Sequence, residues 1–212
     1  MKDKPFVCEG TAPDNSWSPL LRGSLIHRYK ILWDNNYWIQ YGPWLAAPRD
    51  AAIFQAPQKI MVRQTGDSII ATLVESGFVA RNNLHILLPN IKSYCLQYVL
   101  GLLNSKLMDF VYSMMNPEKG EALAEVKKQH VEQLPIRPID FSNLTEKASH
   151  DRMVQLVEQM LDLQKQLPKA KTGHDQTLIQ RQIDATDRQT DRLVYELYGL
   201  TEEEIAVVEG KA

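Results

Sequence analysis

The side chains best equipped for chemistry in this 212-residue chain are basic and lie in its first half. Lys59 and Arg63 stand four apart in QKIMVRQ, and a strand would put both on one face. Arg28 and Lys30 flank Tyr29, with His27 beside them. On an extended backbone the two cations share one side, and His27 and Tyr29 share the other, which makes Tyr29 a core residue. Arg49 follows Pro48 and Arg81 precedes Asn82-Asn83, so both belong to loops. Between residues 20 and 92 eight Lys/Arg face four Asp/Glu, although the whole chain carries a formal charge of −2. Such a region suits nucleic-acid contact, with cations on phosphates and the planar arginine fork on a guanine edge. It equally suits a solvated face, and Lys59 and Arg63 would then guard a sheet edge. Trp33, Trp38 and Trp44 are able to stack bases, but beside strands their expected role is core packing.

Catalytic chemistry has no comparable signal. The glycine-rich GxGxxG and GxxxxGKS/T loops, HExxH and GxSxG are all missing. The histidines His27, His85, His130, His150 and His174 are scattered, and no PD-(D/E)xK pattern occurs. Asn116-Pro117-Glu118-Lys119 begins like the NPPY motif of amino-methyltransferases, lacks its aromatic residue and reads as a helix break. Cys8 and Cys95 are far apart, which excludes a disulfide scaffold and a zinc set and suits a reducing cytoplasm. No catalytic, cofactor-binding or metal-ligating residue is expected within these 212 residues. The start, MKDKPFVCEG, has no apolar stretch of an export signal, and no run of 18 apolar residues suggests a membrane span.

The elements that would carry the basic residues follow from periodicity. LLRGSLIHRYKILW (20–33) and YWIQYGPW (37–44) read as short strands, and 45–56 as a short helix after Pro48. KIMVRQ (59–64) and SIIATLV (68–74), joined through Thr65-Gly66-Asp67, read as a hairpin, with LHILLP (84–89) as another strand. From about residue 93 the apolar spacing turns helical, EALAEVKKQHVEQL continues with helix formers, and LPIRPIDF (134–141) looks like a closing edge strand. Asn104-Ser105 within the helical run would bond backbone at a packed turn. Two stripes follow, Met153-Leu156-Met160-Leu163-Leu167 and Ile179-Ile183-Thr186-Thr190-Leu193-Leu197, separated by a breaker at 168–173, which predicts an antiparallel helical hairpin. Thr186 and Thr190 are polar register positions, Gly199 a C-cap, and Thr201 opens a last short helix. The composition, 44% apolar and 24% charged, supports a packed core. The expected architecture is α+β: a mixed α/β domain over 1–145, then a helical hairpin and tail over 146–212.

The order of these segments resembles the C-terminal specificity domain of TaqI-like adenine methyltransferases and related single-chain restriction–modification enzymes. A G-x-x-I-x-R-Y entry is matched by Gly23, Ile26, Arg28 and Tyr29, and a P-x-K-I-x-x-R strand by Pro57, Lys59, Ile60 and Arg63. An L-N-S-K-L helix corresponds to Leu103–Leu107, and an L-P-I-x-P-I segment to Leu134–Ile139. The string V-Y-x-L-Y-G-L at Val194–Leu200 is the most specific of the set. The resemblance implies sequence-specific binding of double-stranded DNA, with Arg28, Lys30, Arg49, Lys59, Arg63 and Arg81 as DNA contacts and Arg63 as the favoured base reader. It also implies a partner, a methyltransferase or nuclease domain or subunit. That partner would hold S-adenosylmethionine and complete base flipping, because the family's catalytic motifs are missing here. The alternative is an assembly subunit whose hairpin, with nine Lys/Arg against thirteen Asp/Glu over 141–212, binds a protein and reads no DNA.

Overall fold

The computed structural model describes residues 6–88 and 95–211. Among the described residues nine short strands come first: β1 Val7–Glu9, β2 Ser18–Leu21, β3 Ile26–His27, β4 Lys30–Ile31, β5 Tyr37–Ile39, β6 Gln58–Arg63, β7 Ala71–Glu75, β8 Val79–Ala80 and β9 Leu84–Leu87. A one-turn helix, α1 Ala52–Gln55, interrupts them. The helical part holds α2 Leu96–Leu103, α3 Lys106–Met115, α4 Lys128–Val131, α5 Leu144–Gln166, α6 Gly173–Tyr198 and α7 Glu202–Val208. The α+β class and the helical hairpin of α5 and α6 stand as the sequence predicts.

Strand β6 is the hinge of the architecture. It pairs antiparallel with β7 on one side and β9 on the other, giving the order β7-β6-β9. Residues 59–62 are all fully buried, because both faces of the strand are covered. Ile60 and Val62 face a core built with α2, α3, α5 and α6. Met61 faces a second core with Leu20, Leu21, Ile26, Phe54, Val74 and Leu84. That second core lies under a four-stranded sheet of order β1-β5-β2-β8, in which β2 and β8 run parallel. The first core passes without interruption from β6 and β7 through α2 into α5 and α6. Gly101 permits the closest contact: a Cβ there would lie 2.4 Å from Met153 Sδ and 3.0 Å from Val157 Cγ2. The stripe residues Met153, Leu156, Met160 and Leu163 are buried, as are Ile183, Leu193 and Leu197 opposite. Thr186 and Thr190 give their hydroxyls to the carbonyls of Gln182 and Thr186, which lets polar groups sit inside the seam. Gly199 ends α6 at φ 68, and Thr201 with Glu204 forms a capping box at α7.

Several sequence expectations give way to backbone chemistry. LLRGSLIHRYKILW is no single strand but β2, a turn of 3-10 helix at 23–25, and the hairpin β3–β4. Tyr29 occupies the two-residue turn of that hairpin at φ 62, a conformation rare for a bulky residue. Its burial and the bond from its N–H to the Ala71 carbonyl (3.1 Å) hold it there. The helical run breaks into α2 and α3 at Asn104-Ser105, where the Ser105 hydroxyl accepts from Met108 N. Asn116 ends α3, and only Lys128–Val131 of the following segment is helical. LPIRPIDF forms no strand. Pro135 and Pro138 have no N–H to give a ladder, and the segment is held by side chains instead. The Tyr198 hydroxyl donates to the Pro135 carbonyl (2.5 Å) and accepts from Arg137 N (3.1 Å), and Tyr98 donates to the Arg137 carbonyl. Pro89, the expected last residue of β9, and the first residues of the helical run before 95 lie outside the described residues.

Candidate nucleic-acid interface

Three loops meet where β2, β6 and β8 end. The chain leaves β2 as Arg22-Gly23-Ser24, leaves β6 as Arg63-Gln64-Thr65-Gly66, and passes from β8 to β9 through Arg81-Asn82-Asn83. Backbone hydrogen bonds fasten them together: Arg81 N to the Leu21 carbonyl (2.9 Å) and Gln64 N to the Asn83 carbonyl (3.1 Å). Asn83 adds a side-chain tie, its Oδ1 accepting from Gly23 N at 3.2 Å. Gly23 is needed for this closeness, since a Cβ would meet Arg63 Cγ, Asn83 Nδ2 and Thr65 Oγ1, each at 3.2 Å. The cluster therefore gathers three arginines with Ser24, Thr65 and Asn82, all three of which are exposed.

Each arginine is held differently. Arg63 Nε donates to the Thr65 carbonyl at 2.8 Å, which fixes the plane of the guanidinium, while its two terminal nitrogens have no partner among the described residues. Arg81 Nη1 donates to the Tyr37 hydroxyl at 3.0 Å. Arg22 lies over the Tyr37 ring, 4.7 Å from its centroid, and its Nη1 is 3.8 Å from a Glu9 carboxylate that is 74% exposed. Three partly exposed arginines are thus gathered on loops carried by a packed sheet, with Glu9 beside Arg22 and Glu125 bonded to Gln64.

The other expected contacts are placed elsewhere. Lys59 sits at the opposite end of β6, fully buried, its ammonium donating to the carbonyls of Phe54 (3.0 Å) and Glu75 (2.8 Å). Desolvation lowers its pKa, partly offset by the Glu75 charge. It shares a face with Arg63 as its spacing requires, but burial keeps it from any ligand. Arg28 makes a two-point ion pair with Asp187 of α6, Nη2 to Oδ1 at 2.7 Å and Nη1 to Oδ2 at 3.1 Å, and Nη2 also reaches the Asn104 carbonyl at 2.6 Å. Its guanidinium is used inside the protein. Lys30 is half-buried in β4 opposite His27. Arg49 gives Nη2 to the Leu84 carbonyl (3.0 Å), and Leu84 is the register partner of Arg63, so Arg49 braces β9 behind the cluster. Of the six, the structure brings Arg63 and Arg81 together, both half-buried, where β6 and β8 end.

Sequence reasoning passed over Arg22, Tyr37 and Asn83. Arg22 had a signal, its place just before a loop glycine, but nothing local announces that β2 and β8 lie side by side. The tryptophans serve packing: Trp33 meets Trp38 and Phe78 edge-on, and both indole N–H groups bond carbonyls of the chain. Trp44 is half exposed and covers Gly42.

A second charged cluster lies where α3, α6 and α7 meet. Asp191 is buried, its Oδ1 accepting from Lys106 N at 2.9 Å. Burial pushes its carboxyl up to about 6, against the lowering effect of the Lys106 N–H. Lys106 Nζ lies 4.0 Å from Asp191 and 3.2 Å from Glu209. This arrangement seals a helix junction.

Among the described residues no group of three or more His, Cys, Asp or Glu is arranged to hold a metal, and no helix is long and apolar enough to cross a membrane. Asn116 is buried, ends α3 through its backbone N–H to the Tyr112 carbonyl and accepts from Glu118 N through Oδ1. Residues 18–136, more than half of the chain, match a protein-family model described as the TaqI-like C-terminal specificity domain. No curated protein matches the chain.

Proposed function

The chain belongs to the family of TaqI-like C-terminal specificity domains, and from that premise we propose that it recognises a site in double-stranded DNA. In this reading it brings that site to an adenine methyltransferase or nuclease module that these residues do not contain. The observation that carries the reading is the gathering of Arg22, Arg63 and Arg81 on three interlocked loops at one end of the strands. Loops on a rigid sheet hold side chains at fixed spacing against a groove, where phosphate contacts set register and base-edge contacts set sequence. The methyl donor, S-adenosylmethionine, belongs to the other module in this proposal. The sealed core between β6, α2, α5 and α6 keeps the loops still while the partner module extrudes the target base.

Fluorescence anisotropy of labelled duplexes, titrated with the full chain at salt from about 50 to 200 mM, tests the reading. The expected result is binding that weakens steeply with salt and favours duplexes selected from a random pool over bulk sequence. Equal binding to all duplexes, or none at the lowest salt, overturns it.

A further inference from the structure

Resting on that reading, we propose that Arg22 and Arg81 form a two-arginine clamp for one phosphate of the DNA backbone, aimed by Tyr37 between them. Strands β2 and β8 are parallel, with Leu20 opposite Val79 and Leu21 opposite Ala80. The next residue on each chain is an arginine, and Arg81 N still donates to the Leu21 carbonyl. Two like charges therefore leave adjacent strand ends, whose backbones run about 5 Å apart. Like charges so placed repel. The fold sets little against them: one exposed carboxylate, Glu9, beside Arg22, and a phenol, not an acid, on Arg81. Tyr37 is 5% exposed and engages both, its ring face under Arg22 and its hydroxyl on Arg81. Arg22 Nε is buried with no hydrogen-bond partner, although the side chain as a whole is 42% exposed.

A shared anion resolves the repulsion through the exposed part of the Arg22 side chain, its buried Nε being out of reach. A phosphodiester presents several acceptor oxygens to forked donors and a single negative charge between two positive ones. A base edge offers no charge to balance the pair. Arg63 differs in kind: it stands apart from Tyr37, is anchored only through Nε and keeps its outer fork open. The clamp is thus a positioning device, and the choice of sequence rests with Arg63 and its neighbours.

The test measures anisotropy of a fluorescein-labelled duplex of mixed sequence against salt, for the full chain and variants whose thermal unfolding matches wild type. The double variant Arg22→Gln/Arg81→Gln lowers the slope of log affinity against log salt by about 0.9, or about eightfold less change per tenfold change in salt, whatever the sequence, and each single Gln variant weakens binding equally across sequences. Arg22→Lys and Arg81→Lys keep the slope, because they keep the charge. Should a Gln variant fail to fold, Tyr37→Phe keeps the ring but frees Arg81, and weakens binding equally across sequences. If the Gln and Phe variants bind with wild-type affinity and slope while Arg63→Ala is impaired, the clamp is overturned and DNA reading stands. If the wild-type chain binds inorganic phosphate at this pair but no duplex, the pair is a free-anion site and both proposals fall.

Discussion

Arg28 and Asp187 are 159 residues apart in the chain and meet through two hydrogen bonds of 2.7 and 3.1 Å, tying the β3–β4 turn to the middle of α6. The arginine of the G-x-x-I-x-R-Y segment thus fastens the strand region to the hairpin. Both side chains are partly exposed, 40% and 27%, so solvent screens part of the attraction. Arg28→Ala also loses the bond to the Asn104 carbonyl. It should cost about 1–3 kcal/mol, read as a lower urea midpoint, and leave the salt dependence of DNA binding unchanged.

Asp191 makes stability depend on pH. Its folded pKa is about 6, raised by burial from 3.8, so the folded chain takes up this proton before the unfolded chain does. Its contribution is complete below 3.8 and is lost as pH rises through about 6. Asp187, Arg28 and Lys106 are the charges that face it. Asp191→Asn does not titrate. The stability difference between wild type and this variant should shift toward wild type as pH falls through that window, by about 3 kcal/mol at most. Urea unfolding of both proteins across the window measures it, and a difference independent of pH would sink the assignment.

Asn104 replaces a missing stretch of ladder. Its Oδ1 accepts from Ala71 N at 3.1 Å and its Nδ2 donates to the Ala71 carbonyl at 3.0 Å, both buried. Asn104→Ala orphans the Ala71 N–H and takes one of two donors from the Ala71 carbonyl, which keeps Tyr29 N, and should destabilise the protein by about 1–3 kcal/mol. Hydrogen exchange should locate the loss at β7 and the α2–α3 junction.

Lys59 predicts a clean separation of stability from binding. Lys59→Ala removes a fully buried stem and two carbonyl partners, and should cost about 2–4 kcal/mol in chemical unfolding. Below its melting temperature the variant should bind duplex DNA with the wild-type salt slope. A slope lowered by one contact would return Lys59 to the interface.

Much of this fold is written in local pattern. The β6–β7 pairing, the seam of α5 and α6 and the Gly199 cap follow from apolar spacing and the cap residue. Tyr29, by contrast, is buried from a turn rather than from the strand its spacing suggests, and residues 64–70 replace the short Gly-Asp turn expected between β6 and β7. Asn104-Ser105 also shows its structural role in sequence, as polar residues inside an apolar run. What local pattern does not carry is which surfaces meet. The period of two places Lys59 and Arg63 on one face but says nothing of depth along the strand, so one is sealed and the other open. The parallel pairing of β2 with β8, which sets Arg22 beside Arg81, joins residues about 60 apart with no turn to announce it. The Pro135 and Pro138 segment looks like an edge strand by composition, yet its bonds come from Tyr98 and Tyr198, which belong to distant helices.

The central claim is that the three-loop end reads DNA, and Arg63 tests it most directly. Duplexes are selected from a random pool by the wild-type chain and by Arg63→Ala, under the same salt, and both pools are sequenced. The account predicts a defined site for wild type and the same site for the variant with one base pair relaxed, at a cost of about 1–3 kcal/mol on the wild-type site. Identical selected sites and equal affinities for the two proteins would contradict it.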